Sequence, residues 1–234
     1  MDLSQATVMI TGAAGNLGRG VAQAFAAHGA NLVLVDRQRA HLESTYGAEN
    51  DKRLFAEANL LEQAQVDAAV AAAIARFKRI DALCNIAGGF RMGESVHETS
   101  DKNWDFLFDI NTRTVMHAAR AVVPRMLAAG GGKIVNIGAF AAQKGAAQMG
   151  PYIASKASVI RLTETMAAEL REKNINVNCL LPTTLDTPEN RAAMPDADPK
   201  RWVALADLAA TIVFLCSDGA RAIHGAAIPI TGLS

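Results

Sequence analysis

The sequence is poor in cysteine, in aromatic residues and in net charge. Its 234 residues include three cysteines, and aromatic residues make up 5% of the chain. An odd number of cysteines without regular spacing does not fit a disulfide framework, so we expect buried, reduced thiols in a cytoplasmic protein. The 23 basic residues balance the 23 acidic ones, and this neutrality argues against binding to nucleic acid or to an anionic membrane surface.

Other signals are absent as well. Residues 1–5 contain no basic segment followed by an apolar run, and we therefore expect no secretory signal peptide. The longest alanine-rich stretch, residues 66–74, is too short to cross a bilayer. The five histidines are scattered and the cysteines lack the spacing of zinc ligands, so the sequence predicts no metal site.

Short β-branched runs alternate with long alanine-rich stretches along the chain, and 50% of the residues are hydrophobic. The apolar runs predict seven strands, at residues 7–11, 31–35, 52–58, 81–85, 133–137, 174–181 and 226–230. The longer stretches predict helices at residues 16–28, 62–78, 101–129, 151–172 and 207–217. Because the strands are uniformly apolar, we expect one doubly wound α/β (Rossmann) domain over residues 1–234, with a mostly parallel seven-stranded sheet and helices on both faces.

The most irregular segment is residues 182–201, which contains four of the seven prolines. A long segment without regular structure inside a compact domain usually has a function. We predict that residues 182–201 form a loop that covers the site, and we call this segment the lid.

A glycine-rich turn follows the first predicted strand and leads into the first predicted helix. Gly12, Gly15 and Gly18 allow a tight turn and a close backbone approach, so the helix N-terminus can face a pyrophosphate. Asp36 ends the second strand, where dinucleotide-binding folds place an acid. The alternative is a plain glycine-rich turn. The residues of this segment predicted to bind a dinucleotide are Gly12, Gly15, Asn16, Leu17 and Gly18.

The choice of cofactor depends on Asp36. Its carboxylate can accept hydrogen bonds from both ribose hydroxyls of NAD, and it repels the 2′-phosphate of NADP. Arg37 could hold that phosphate if the acid turned away. We therefore expect NAD(H) to be preferred and keep NADP(H) as an alternative. Asn59, which precedes Leu60 after the third strand, either hydrogen-bonds the adenine or is an ordinary loop cap.

Tyr152 and Lys156 lie four residues apart at the start of a predicted helix, so their side chains share one face. An ammonium at ~4 Å stabilises a phenolate by roughly 4 kcal/mol at intermediate dielectric. This lowers the pKa of the phenol from ~10 toward the working range and makes Tyr152 a general acid or base. A tyrosine that caps the helix beside a surface lysine would show the same spacing.

The glycine turn at residues 12–18, the segment 85–88, Asn111 and the segment 152–156 resemble, in this order, motifs of the short-chain dehydrogenase/reductase family. The resemblance covers essentially the whole chain. It implies that Tyr152 is the proton donor, that Lys156 tunes its pKa and binds the ribose, and that Asn111 holds a water of the proton relay. Besides Tyr152 and Lys156, the implied cofactor contacts are Asn85, Ala87, Gly88, Pro182, Thr183, Leu185 and Thr187.

One position departs from the family. A serine usually stands thirteen residues before the tyrosine, and here that residue is Ala139. The serine normally hydrogen-bonds the oxygen on which charge develops, and loss of such a donor costs on the order of a hundredfold in rate. An apolar residue here, together with the lid segment 181–191, resembles the dihydropteridine reductase subfamily. There hydride enters a conjugated C=N system, so no alkoxide forms for a serine to stabilise.

The predicted substrate-contacting residues are Phe90, Ala139 and Gln148. Phe90 either stacks on a flat ring, which contributes ~1 kcal/mol beyond burial, or is an ordinary core aromatic.

Three functions remain open. The first is an NADH-dependent reductase of a conjugated C=N substrate, similar to dihydropteridine reductase. The second is a general carbonyl or secondary-alcohol dehydrogenase that lacks the usual serine. The third is a non-catalytic dinucleotide-binding protein. We expect a small-molecule ligand in each case, and the resemblance implies a homodimer or homotetramer that associates through alanine-rich helix faces.

Overall fold

Seven strands form one sheet in the computed structural model, which describes residues 2–233. Met1 and Ser234 of the predicted domain 1–234 lie outside the described residues. The strands are β1 (Thr7–Thr11), β2 (Asn31–Asp36), β3 (Arg53–Glu57), β4 (Ala82–Asn85), β5 (Gly132–Ile137), β6 (Ile175–Pro182) and β7 (Ala227–Ile230). All neighbouring pairs are parallel, in the order β3-β2-β1-β4-β5-β6-β7. The predicted doubly wound α/β fold is confirmed.

Helices cover both faces of the sheet. They are α1 (Asn16–Ala27), α2 (Arg39–Tyr46), α3 (Gln63–Phe77), α4 (Asp101–Phe108), α5 (Thr114–Ala129), α6 (Gly150–Leu170), α7 (Pro188–Ala193) and α8 (Leu205–Leu215). Helices α1, α2 and α8 pack on one face, and α3, α5 and α6 pack on the other. Within residues 2–233, no helix combines the length and the apolar character needed to span a bilayer.

The strand order explains both the sequence pattern and the location of the site. Every residue of β1, β4 and β6 is buried, because helices shield both faces of the sheet, and this is why the strands are mainly apolar. The chain runs outward from β1 in one direction through β2 and β3, and in the other from β4 to β7. Between β1 and β4 the helices leave a crevice at the carboxyl ends of the strands.

Three segments differ from the sequence-based expectations. Helix α2 was not expected, because it buries a single residue, Leu42, and so has little apolar periodicity. The helix expected over residues 101–129 is divided into α4 and α5 by a π-helical turn, Asp109–Arg113. The lid, expected to be irregular, contains α7 and a short 3₁₀ helix, Pro199–Arg201.

The lid is attached to the domain at its base. Val203 donates its amide to the carbonyl of Thr184 at 2.9 Å, and its own carbonyl accepts the amide of Asp186 at 2.9 Å. Thr187 caps α7 by accepting a hydrogen bond from the amide of Asn190. Since Pro188 occupies the first turn, the threonine-proline pair predicts this helix start, and the sequence reasoning missed that signal.

Candidate active site

A cleft of about 920 Å³ runs along the carboxyl ends of β1, β2, β3 and β4. It lies where the strand order reverses, which is where ligands of open α/β sheets bind. Most of the residues that the sequence assigns to the cofactor line this cleft: Gly12, Gly15, Asn16, Leu17, Gly18, Asp36, Arg37, Asn59, Leu60, Ala87 and Gly88.

The glycine turn between β1 and α1 is folded closely on itself. Gly12 has a φ of +64°, and a Cβ added there would lie 2.9 Å from the Cα of Ala87. A Cβ added at Gly18 would overlap the carbonyl oxygen of Gly12. Gly15 precedes α1 and leaves its first amides without a side-chain cap, and such amides bind anions. The turn therefore has the form that a pyrophosphate requires.

Asp36 is fixed at the wall of the cleft. Its Oδ2 accepts a hydrogen bond from the amide of Ala14 at 3.0 Å, and its Oδ1 accepts one from the amide of Arg37 at 2.8 Å. The side chain of Arg37 is exposed and lines the same cleft. The carboxylate of Asp36 and the side chain of Arg37, on which the predicted choice between NAD(H) and NADP(H) depends, thus both lie at this cleft.

The two asparagines after β3 and β4 have different surroundings. Asn59 lines the cleft, and its Oδ1 also accepts a hydrogen bond from the amide of Leu61 at 3.1 Å, as a loop cap does. Asn85 is only 3% exposed, and its side-chain amide donates to Oδ1 of Asn136 at 2.8 Å. The side chain of Asn85 therefore lies between β4 and β5, away from the residues that line the cleft.

Tyr152 and Lys156 lie one turn apart on α6, next to the end of the cleft formed by Gly88. Lys156 is 5% exposed, and its Nζ donates a hydrogen bond to the carbonyl of Ile137 at 2.8 Å. A Cβ added at Gly88 would lie 3.1 Å from this Nζ. The ammonium thus lies between the end of β5 and the loop after β4, at the end of the cleft.

Burial changes the acidity of both groups. It lowers the pKa of Lys156 to about 8, with a small opposing effect from the Cys179 thiol, and it raises the pKa of Tyr152 to about 12. The sequence-based expectation was a lowered pKa for the phenol. The outcome differs because the loss of solvation around Tyr152 dominates, while the hydrogen bond of Lys156 is directed to Ile137. Tyr152 is therefore protonated at neutral pH and suited to donate a proton.

Asn111 lies in the π-helical turn, which directs its side chain inward and leaves it 1% exposed. Its Nδ2 donates to the carbonyl of Gly89 at 3.0 Å and to Oγ of Ser155 at 3.0 Å, and its Oδ1 accepts the amide of Gly89 at 2.9 Å. The side chain therefore joins the loop after β4 to α6. Both of its donor hydrogens are used in this way, and the predicted water-holding role of Asn111 remains a prediction.

The predicted substrate residues come from three loops that meet beside Tyr152. The ring of Phe90 meets the ring of Tyr152 edge to face at 4.8 Å between centroids, and Phe90 is 55% exposed, so it is not a core aromatic. Ala139 follows β5 and is 4% exposed. Gln148 has a φ of +61°, and its carbonyl accepts the amide of Gly93 at 2.9 Å. This bond ties the Phe90 loop to the segment before α6.

The residues of the lid that were predicted to contact the cofactor make hydrogen bonds and backbone contacts with other parts of the protein. Pro182 ends β6, and Thr183 donates its hydroxyl to the carbonyl of Thr231 at 3.1 Å. Leu185 forms a parallel bridge with Val203. Together with Thr187 at the start of α7, these residues give the lid a defined conformation.

Sequence reasoning missed three residues at this site. Ser155 accepts the hydrogen bond from Asn111 and donates to the carbonyl of Tyr152 at 2.8 Å. Tyr46 donates its hydroxyl to the carbonyl of Ala13 at 2.6 Å and so supports the glycine turn. Glu189 in the lid accepts a hydrogen bond from Asn16 in that turn. Ser155 and Glu189 stood within noted segments without an assigned role, whereas no sequence signal pointed to Tyr46.

Known proteins share this architecture. The family model described as short chain dehydrogenase matches residues 6–198. D-threitol dehydrogenase of Mycolicibacterium smegmatis is 35% identical over 237 residues, which cover 96% of this chain and 90% of that protein.

Two solved structures are similar over nearly their whole length. The 3-ketoacyl-(acyl-carrier-protein) reductase of Brucella melitensis in complex with NADH has a TM-score of 0.88 and 31% identity, covering 98% of each chain. The gluconate 5-dehydrogenase of Burkholderia cenocepacia in complex with NADP and tartrate also has a TM-score of 0.88, with 29% identity, and covers 99% of this chain and 98% of that one. None of these three proteins is a dihydropteridine reductase.

Proposed function

The chain belongs to the short-chain dehydrogenase family of NAD(P)-dependent oxidoreductases, and we propose that it interconverts a secondary alcohol and its ketone with NAD(H) as the preferred cofactor. The observation that carries this proposal is the placement of Tyr152 and Lys156. Both lie on one face of α6, and the ammonium of Lys156 is held beside Gly88 at the end of the dinucleotide cleft.

The residues of the cleft fit a dinucleotide. The turn at Gly12 and Gly18 has no room for a Cβ, so the backbone can approach a pyrophosphate at the start of α1. The carboxylate of Asp36 is held by two amides at the place where a ribose is expected, which supports the preference for NAD(H). Arg37 beside it supports some use of NADP(H), and the related structures hold NADH or NADP.

The chemistry assigns separate tasks to the side chains. A bound nicotinamide supplies or accepts the hydride. Tyr152 Oη donates a proton to the substrate oxygen during reduction and accepts it during oxidation. Lys156, one turn along α6 from Tyr152, carries the positive charge that would stabilise the phenolate when the proton leaves. Asn111 holds Gly89, and through it the position of Phe90 against Tyr152.

A second candidate is the reduction of a conjugated C=N substrate, as in dihydropteridine reductase. The observation that favours it is Ala139, which offers a methyl group where the family usually has a serine hydroxyl. The exposed ring of Phe90 offers a stacking surface for a flat substrate. We rank this second because D-threitol dehydrogenase and the two related structures are named for alcohols and ketones.

The deciding experiment follows NADH oxidation with a panel of ketones and with quinonoid dihydropterin, with NADPH as the cofactor control. Turnover of ketones that disappears in Tyr152→Phe would support the main proposal. Turnover of the pterin alone would favour the second candidate. Tight binding of NADH without turnover of any substrate would leave the non-catalytic alternative.

The substitution Ala139→Ser separates the two reactions further. It adds a donor for the substrate oxygen, so we expect ketone reduction to rise by about tenfold or more. Reduction of a C=N bond forms no alkoxide and should change by less than about threefold. An equal response of both reactions, measured as kcat/KM, would contradict the assigned role of residue 139.

We also propose a homodimer or homotetramer in the cytoplasm. Helices α4 and α5 expose large apolar side chains, including Trp104 at 45% and Met116 at 39% exposure, and Trp104 stacks on Phe108 at 4.5 Å. Such exposed groups on adjacent helices support association. The three cysteines are free and buried, which supports a reducing compartment. Light scattering on the purified protein measures the assembly directly.

A further inference from the structure

A polar contact joins the lid to the glycine turn. Nδ2 of Asn16 donates a hydrogen bond to Oε2 of Glu189 at 2.6 Å, although 173 positions separate the two residues in sequence. Arg19, one turn further along α1, donates to Oδ1 of Asn16. The carboxylate of Glu189 is thus connected to α1 through the amide of Asn16, and we call this hydrogen bond the lid contact.

The lid contact occupies a place that favours anions. Asn16 is the first residue of α1 and lines the cleft, next to the amides where the pyrophosphate of a dinucleotide is expected. The N-terminus of a helix carries a partial positive charge, which attracts a carboxylate and a phosphate alike. A pyrophosphate at this site and the carboxylate of Glu189 therefore carry charges of the same sign within a short distance.

We propose that Glu189 controls the exchange of the dinucleotide, because its carboxylate competes with the pyrophosphate for Asn16 and for the start of α1. The inference rests on the proposed function, since it assumes that a dinucleotide binds in the cleft. Glu189 acts on cofactor affinity and takes no part in the reaction of the substrate. It is a determinant that none of the motifs in the sequence indicates.

The surroundings of Glu189 keep it charged and able to move. Hydrogen bonding to the backbone amide at the start of α7 holds the pKa of Glu189 below its usual range, and Asn16 and Arg19 add to this effect. The side chain is exposed, so an opening of the lid contact exposes no buried group. The base of the lid is held separately, through Val203 and the ion pair of Arg191 with Asp186. Helix α7 can therefore release Asn16 without loss of the lid fold.

The test measures the dissociation constant and the release rate of NADH by its fluorescence, at low and at high salt. Glu189→Gln retains an oxygen that can accept from Asn16 and removes only the charge. We expect it to bind NADH about threefold more tightly at low ionic strength, with the difference vanishing at about 0.5 M salt, because exposed charges are screened there. Glu172→Gln is the matched control, because Glu172 is equally exposed but lies before β6, at the opposite edge of the sheet.

Two results would overturn the inference. One is unchanged NADH binding in Glu189→Gln at both salt concentrations. The other is weaker binding and faster release in Glu189→Ala, which would make the lid contact a clamp on the bound cofactor instead of a competitor. If the wild-type protein binds no NADH, the proposed function itself fails, and this outcome is distinct from the first two.

Discussion

A buried lysine lies at each end of the parallel strands, one at the edge formed by the strand starts and one at the edge formed by the strand ends. The two lysines have different hydrogen-bond partners. Lys133 lies near the start of β5, is 7% exposed, and donates from Nζ to Oδ1 of Asn176 at 2.6 Å. Lys156 lies near the end of β5, is 5% exposed, and donates from Nζ to the backbone carbonyl of Ile137 at 2.8 Å. One lysine is bound by a side chain and the other by the main chain.

The nearby charges also differ. Burial lowers the pKa of Lys133, and the carboxylate of Asp218 opposes this effect. Burial lowers the pKa of Lys156 to about 8, and the opposing group is the thiol of Cys179 instead of a carboxylate. A buried lysine with a carboxylate nearby is suited to a structural role, whereas a lysine whose burial lowers its pKa to about 8 is suited to chemistry.

The polar residues around the two lysines also differ. The strand-start edge borders a second cavity, of about 410 Å³, in which Arg79 pairs with Asp81, and Asp81 also accepts the amide of Thr7 at 2.9 Å. Asp81 thus has a side-chain partner and a backbone partner there. At the strand-end edge, Lys156 and Asn111 bind backbone groups and hold the loops beside Tyr152.

The largest effect is expected on kcat, when a residue at the strand-end edge is substituted and compared with one at the strand-start edge. Tyr152→Phe removes the proton donor, so we expect kcat to fall by about 10²–10⁴-fold while NADH binding is retained. Lys133→Met, at the opposite edge, should change kcat by less than about twofold in the folded protein, because distant sites act independently. A comparable loss of kcat in both variants would mean that the two edges are not functionally distinct.

The next largest effect is expected in the pH dependence of kcat/KM, which depends on the charge of Lys156. Reduction requires a protonated Tyr152, which holds at all accessible pH values because its pKa is about 12, and a charged Lys156, whose pKa is about 8. We therefore expect kcat/KM for reduction to be level below pH 8 and to fall by about tenfold per unit at higher pH. The residual activity of Lys156→Arg should lack this fall, because a guanidinium stays charged. A wild-type profile that stays level to about pH 10 would contradict the assigned role.

The smallest effect is expected on the free energy of unfolding, when alanine replaces either of two glycines in left-handed backbone conformations. One glycine lies at the strand-start edge and the other at the strand-end edge. Gly130 has a φ of +82° with open space around it, so Gly130→Ala should lower the free energy of unfolding by about 1 kcal/mol from backbone strain alone. Gly12 has a φ of +64° and lies against Ala87, so Gly12→Ala should cost about 1–3 kcal/mol more. Denaturant unfolding measures both. Equal losses would mean that the turn at the site edge has room to adjust.

Much of the fold could be predicted from local patterns. Strands such as β1 and β6 were predicted to within one residue, because burial on both faces favours runs of mainly apolar and β-branched residues. Helix α2 could not be predicted, because its stability depends on one buried residue, Leu42, and on packing that the pattern does not reveal. The π-helical turn was also missed, since a single extra residue in a helical turn leaves the hydrophobic periodicity almost unchanged.

The candidate site shows the same limit. The glycine turn, Asp36 and the pair Tyr152 and Lys156 could be predicted, because each depends on neighbours in sequence. The shift in the pKa of Tyr152 could not, because the spacing of four residues predicts proximity to an ammonium but not the loss of solvation. The lid contact between Asn16 and Glu189 had no sequence signal, because it joins two turns that meet only in the folded chain.

The alternation of strands with the longer helices, the parallel sheet and the position of the glycine turn follow from the sequence, because they depend on local apolar runs and on glycines that allow close backbone approach. The different environments of the two buried lysines follow from the tertiary structure. Burial lowers the pKa of both lysines, but Lys156 is removed from solvent more completely, and Asp218 and Cys216 offset the burial of Lys133 where Cys179 alone does so for Lys156. Solvation and charge in a protein interior depend on neighbours in space, and sequence separation does not reveal them.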